Sequence, residues 1–214
     1  MKTSLLLPAL TASFLSAAFS ASATSIVTSF DTGLEGWTEQ GSGFGPFLTY
    51  SASGGNPGGF GRFGDAANTP DLYAVAPAAF LGNLSAFDGG TVSFDAKFFP
   101  GILTNPVAGF GLIEISNGGT SVSQDIAPVT PDGNWQTFSG AFTAAGFGTS
   151  QATWNSILAN VTSFTIQVDA YKPVQSGPAV GLDNITIVPE PASGTLLILA
   201  GVALAPALFR SRRK

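Results

Sequence analysis

Neither cysteine nor histidine occurs anywhere in the 214 residues. Disulfide scaffolds are therefore excluded. So are zinc sites of the His/Cys type and nucleophilic triads built on imidazole or thiolate. No glycine-rich run leads into Lys-Ser or Lys-Thr, so a phosphate cradle is missing too. Charge is scarce, at 10% of residues, and basic charge is scarcest. Of eight Lys and Arg, five (Lys2, Arg210, Arg212, Arg213 and Lys214) lie at the two ends. Only Arg62, Lys97 and Lys172 remain in the interior, residues 24–188, against twelve acids, for a net charge of −9. Such a surface repels nucleic acid, which is excluded as a partner.

What is plentiful is Gly (27), Phe (18), Ser and Thr. That mixture favours strands joined by tight turns over helices. The interior holds 165 residues, the size of one domain and enough to bury a core without covalent staples.

The ends read as address labels. Lys2, an apolar core at 5–19 and the small residues Ala21 and Ala23 at a cleavage site make residues 1–23 a signal peptide. At the other end, Pro189-Glu190-Pro191 precedes an uncharged run at 192–209. Eighteen residues at about 1.5 Å each just cross a bilayer core of about 30 Å, so the run is an expected transmembrane helix. Arg210, Arg212, Arg213 and Lys214 then stop it on the cytoplasmic side. An ordinary C-terminal anchor explains this pattern. The three parts in order also closely resemble the PEP-CTERM tails of bacterial surface proteins, which assigns residues 189–214 to a sorting tail. That resemblance implies an exosortase as partner and a transient stay in the inner membrane. It further implies delivery to the cell surface or the extracellular matrix, in organisms that make exopolysaccharide.

Between the ends, several runs alternate at the strand period. Val92, Phe94, Ala96 and Phe98 share one face of 91–98, and Phe164, Ile166, Val168 and Ala170 one face of 164–171. Residues 26–31 begin a first strand, 110–115 read as a central strand apolar on both faces, and 136–142 place Phe138 and Phe142 inward. In 180–188, Leu182 and Ile185 are out of phase, which predicts a bulge. The first and last strands are expected to pair. Asp88-Gly89-Gly90, Asn117-Gly118-Gly119 and Pro131-Asp132-Gly133-Asn134 are turns. One short helix is expected over 151–159, with Ser150 as its N-cap. The Gly-rich, aromatic stretch 41–64 reads as short strands and long loops, and runs such as Gly54-Gly55 and Gly58-Gly59 as turns. The fold class is all-β, a sandwich of jelly-roll type.

Tyr73 to Asp95, with Pro77, Phe80-Leu81-Gly82-Asn83 and Gly89-Gly90, resembles the laminin B domain, also called laminin IV type A. Asn83 stands where that family usually has Asp. Phe30-Asp31, Gly36-Trp37, Trp135, the segment around Trp154 and Gly181 to Ile185 extend the likeness in order. It implies a galactose-binding-like jelly roll related to carbohydrate-binding modules. It also implies a structural Ca²⁺ near the joined termini, held by oxygen ligands from Asp31, Asp183 and Glu35. Without a metal, Asp31 opens a turn and Asp183 caps the bulge. Trp135 and Trp154 match structural positions of that family and are expected in the core. Tyr50 and Tyr171, beside Gly- and Pro-rich loops, are the rings expected to stack on a ligand.

A glycosidase needs two facing carboxylates. The acids here are scattered at strand ends and turns, so the chain reads as a non-enzyme. The resulting expectation is an exported protein with a non-catalytic module that binds extracellular polysaccharide. The alternatives are a structural or adhesive matrix protein without a small ligand, and a carboxylate-dependent enzyme acting on polysaccharide.

Overall fold

Two antiparallel sheets face each other across an aromatic core in a computed structural model, which describes residues 23–41, 48–64, 72–99, 109–169 and 179–191. The larger sheet runs β3 (Leu48–Ser51), β4 (Phe60–Gly64), β11 (Ala179–Val188), β6 (Gly90–Phe99), β9 (Gln136–Phe142). β1 (Ile26–Thr28) also pairs with β11, Ile26 opposite Ile187. The smaller sheet runs β2 (Thr38–Gln40), β5 (Tyr73–Val75), β10 (Ser163–Gln167), β7 (Leu112–Ser116), β8 (Ser121–Asp125). From β4 to β11 the chain changes sheet at every connection except the β7–β8 hairpin. That hairpin is closed by Asn117, whose side-chain oxygen accepts the backbone N–H of Gly119 and Thr120.

The alternating runs form the longest elements. In β6, Val92, Phe94, Ala96 and Phe98 all point into the core, as expected. β11 carries the expected bulge. Its register against β6 shifts between Asp183 and Thr186, and Asn184 takes φ 49° there. Asn tolerates this left-handed conformation better than most residues. The shift brings Leu182 and Ile185 to the same inner face, so a sequence out of phase for a plain strand stays buried. The bulge also divides one edge of β11 between two partners. β4 pairs with residues 179–182 and β1 with 185–187.

The helix α1 (Gln151–Leu158) begins where Ser150 accepts the N–H of Thr153 at 3.2 Å. It buries Trp154, Ile157 and Leu158. The Trp154 indole N–H reaches Asp88 at 2.8 Å and its ring stacks on Phe147. Trp37 is buried likewise, donating to Thr28 at 3.0 Å and meeting Phe80 edge-on. Each such ring contributes about 1.5–3 kcal/mol relative to exposure.

Three expectations shift. β7 is apolar on its inner face only. Ile113 and Ile115 are buried, while Glu114 is exposed. The first strand stops at Thr28, because Phe30 turns to φ 51°, an unusual conformation for a bulky side chain, and its ring enters the core. Asp31 therefore lies beyond the strand, in the following bend. β2, β5 and β8 were not foreseen. They have three to five residues, and β2 and β8 are almost wholly polar, too little for a periodic signal.

Candidate functional site

The outer face of the larger sheet gathers the chemistry. At its centre is Gly181, paired with Arg62 on one side and Lys97 on the other. A side chain on Gly181 would come within 2.9 Å of Trp135 and 3.0 Å of Phe60 and Phe99. The bare backbone lets these three rings settle on the sheet. Phe60 stacks on Phe99 at 5.1 Å and meets Trp135 edge-on at 5.5 Å. The Arg62 guanidinium lies 5.7 Å from the Phe99 ring centre and the Lys97 ammonium 5.6 Å. Among the described residues, no carboxylate forms an ion pair with either cation. Phe60 is buried, while Phe99, Trp135, Arg62 and Lys97 are half-buried.

One pleat along the same face, Asp183 and Asp95 stand opposite each other. The loop at 52–59 between β3 and β4 folds over them. Its Asn56 N–H donates to Asp183 at 2.6 Å and its side-chain amide to Asp95 at 3.0 Å. Asn184 completes the network. Its N–H donates to Asp183, and its amide donates to Asp95 at 2.8 Å and to the Asn56 carbonyl. The Thr137 hydroxyl donates to Asp95 at 2.6 Å. The same loop joins this network to the aromatic cluster, because the Trp135 indole N–H donates to the Gly54 carbonyl at 2.9 Å. Asp183 is fully buried and Asp95 nearly so. Burial pushes the Asp183 carboxyl above its ordinary 3.8. The N–H groups of Asn56 and Asn184 pull it back, and the nearby Asp95 and Asp31 charges add to the rise.

Asp31 and Asp183 do come under one loop. A side chain on Gly55 would sit 2.7 Å from Asp183, and one on Gly58 would collide with Asp31. This arrangement does not fit the expected calcium ion. Both Asp183 oxygens already accept backbone N–H groups, whereas Ca²⁺ takes six to eight oxygens. Asp31 accepts the Ser29 hydroxyl at 2.9 Å, and Glu35 is exposed. No group of three Asp or Glu side chains among the described residues is placed to hold a metal. The carboxylates are met by amide and hydroxyl donors instead.

Tyr50 is exposed, but its hydroxyl donates to the Asp31 carbonyl at 2.9 Å and its ring lies against Gly59. It braces the loop. Trp135 departs from the expectation of a core position. It sits on the outer face, reached through the turn around Asp132, whose carbonyl accepts the Phe98 N–H. Pro189 is buried, Glu190 lies against Gly89 and Pro191 is exposed. Ala23 packs at the core margin. Ala21, Tyr171, Lys172, the run 192–209, Arg210, Arg212, Arg213 and Lys214 lie outside the described residues. No described helix is long and apolar enough to cross a membrane. A separate pocket of about 410 Å³ lies beside Phe110 and Val129, with Asp125 as its one titratable group. That carboxylate is engaged by the Ala127 N–H.

No family model and no curated protein matches this chain. Solved structures do. The family 30 carbohydrate-binding module of a cellulosomal cellulase of Clostridium thermocellum is similar with a TM-score of 0.50 and 14% identity. The match covers 77% of this chain and 98% of that module. An exo-β-agarase is similar with a TM-score of 0.51 and 12% identity over 76% of this chain, which spans 25% of the agarase chain. The L4b domain of human laminin alpha-2 aligns with a TM-score of 0.40 and 12% identity, over 53% of this chain and 70% of that domain. The first two show the fold, a two-sheet sandwich shared with carbohydrate-binding modules.

Proposed function

We propose that residues 24–188 form a non-catalytic, jelly-roll glycan-binding module of an exported bacterial surface or matrix protein. The outer face of the larger sheet is its binding surface. The observation that carries this reading is the cluster of Phe60, Phe99 and Trp135 on bare backbone, flanked by cations and braced by a loop. Aromatic faces stack on the C–H faces of sugars, and half-buried cations supply oriented donors to hydroxyl or acid groups. The module from the cellulase, aligned over nearly its whole length, supports the same reading.

A polysaccharide-cleaving role finds less support on this face. Asp95 and Asp183 are both buried and both held by amide donors, so neither is offered to a substrate. Export through a signal peptide, sorting by an exosortase, passage through the inner membrane and release at the surface belong to this proposal on the strength of the two termini. A matrix protein without a small ligand is the second reading.

A glycan array probed with the purified protein tests the module. Binding to a restricted set of polysaccharides, lost in Trp135→Ala, is the expected result. A flat array from a folded protein would sink it and favour the structural reading. Cell fractionation with a terminal tag tests sorting. The C-terminal tag should part from the mature chain, and a single full-length species in cytosol would refute export.

A further inference from the structure

We infer that the ligand of this surface is a polysaccharide carrying carboxylates. The inference rests on the glycan-binding reading and names the class of glycan. Residues 24–188 carry three basic residues against twelve acids. Two of the three, Arg62 and Lys97, converge on one Phe99 ring from opposite sides of Gly181. Across two strand spacings of about 4.8 Å, their backbones stand roughly 10 Å apart, within the span of two sugar units. A surface that bound neutral glucan would need the rings but not the cations. In a domain this acidic, a positive pair is a place where an anionic chain meets attraction.

The ring contacts hold the charged heads through the quadrupole of Phe99 and do not consume their N–H donors. Arg presents a planar fork that matches a carboxylate, and Lys a compact point charge. The neighbouring Asp95 and Asp183 are engaged by their own donors, from Asn56, Asn184 and Thr137. Both are buried under the 52–59 loop, so neither carboxylate is offered to a ligand. The bound arrangement is thus a uronate-like residue whose carboxylate meets Arg62 or Lys97 while a sugar face covers Phe99 or Trp135.

The test uses the full-length chain in mild detergent and affinity electrophoresis or calorimetry. The probes are polygalacturonate, its methyl ester, a sulfated galactan and a neutral β-glucan. The expected result is binding to polygalacturonate that weakens at least about tenfold on esterification, since the ester keeps the sugar face and removes the charge. Raising NaCl from about 0.05 to 0.5 M should weaken it further, because surface charge pairs are screened over a few ångströms at high salt. Arg62→Gln and Lys97→Gln should each lower affinity by about tenfold with little change in melting temperature. If either variant fails to fold, the acid–ester comparison on the unaltered chain decides alone. Equal binding of acid and ester, or binding of the neutral glucan alone, overturns the inference and leaves the glycan-binding reading standing. Binding of the sulfated galactan alone overturns the carboxylate assignment. Binding of none of the four, by a protein shown to be folded, removes both.

Discussion

The two sheets turn very different outer faces to solvent. On the smaller one, the outward residues of β8 are Ser121, Ser123 and Asp125, all exposed, and Glu114 of β7 lies beside Ser123. These are small or solvated side chains with little packed over them. On the larger sheet, the outward residues of β6, β11 and β4 include Phe99, Lys97, Asp95, Asp183 and Arg62, and a loop and a tryptophan close over them. Both sheets bury the same kind of inner face. Folding fixes the inner side of each sheet, while the outer side of the larger sheet has gathered two carboxylates under a loop, polar groups that cost stability unless they are satisfied.

Breaking the shared inner face should have the largest effect. Phe94, fully buried between Phe110 and Phe138, cut back to alanine should destabilise the domain by about 3–5 kcal/mol in urea unfolding. A loss under 1 kcal/mol would mean the core is not packed as described. Next comes the amide network. Asn184→Gly keeps the left-handed backbone but removes the donor to Asp95, and should cost about 1–3 kcal/mol. The matched change on the other sheet, Ser123→Gly, should cost less than that, and equal costs would erase the contrast.

A pH series sharpens the comparison further. The folded pKa of Asp183 is raised, so between 3.8 and that higher value the folded state holds more proton than the unfolded chain. Asp183 therefore contributes stability at low pH that is lost as pH rises through its folded pKa. Asp183→Asn should flatten that part of the stability–pH curve. A slope unchanged by the substitution would remove Asp183 as its source. The smallest effect is expected from calcium. Replacing EDTA with about 5 mM Ca²⁺ should leave the melting temperature within about 1 °C, since amide and hydroxyl donors already engage the carboxylates. A rise of several degrees would restore the metal reading.

The sequence was legible where periodicity ran long. β6, β9, β11 with its bulge, the pairing of first and last strands, and α1 with its Ser150 cap all follow from side-chain spacing and cap chemistry. β8 was not legible, because Ser-Val-Ser-Gln-Asp at a sheet edge has no apolar face to announce it. The site was only half legible. Asp31 and Asp183 do approach one another, but their partners come from the Gly-Gly-Asn-Pro-Gly-Gly loop, which as a sequence looks like a run of turns. Its placement depends on pairing across more than 120 residues, which local spacing does not encode. Trp135 was misplaced for a related reason. Its core position was expected from its match to a structural position of the laminin B domain, and the empty position at Gly181 creates a second place for a ring to lie.

β11 follows every other described strand in the sequence, yet it lies between β4 and β6 and also receives β1. Until residues 179–188 arrive, the larger sheet is only separate hairpin-like pieces, and the earliest strand has nothing to dock on. Synthesis, or threading through any pore, thus has to pass Val188 before the domain can lock. A nascent chain stalled short of Ala179 should remain protease-sensitive throughout, and release of one further strand should switch it to resistant.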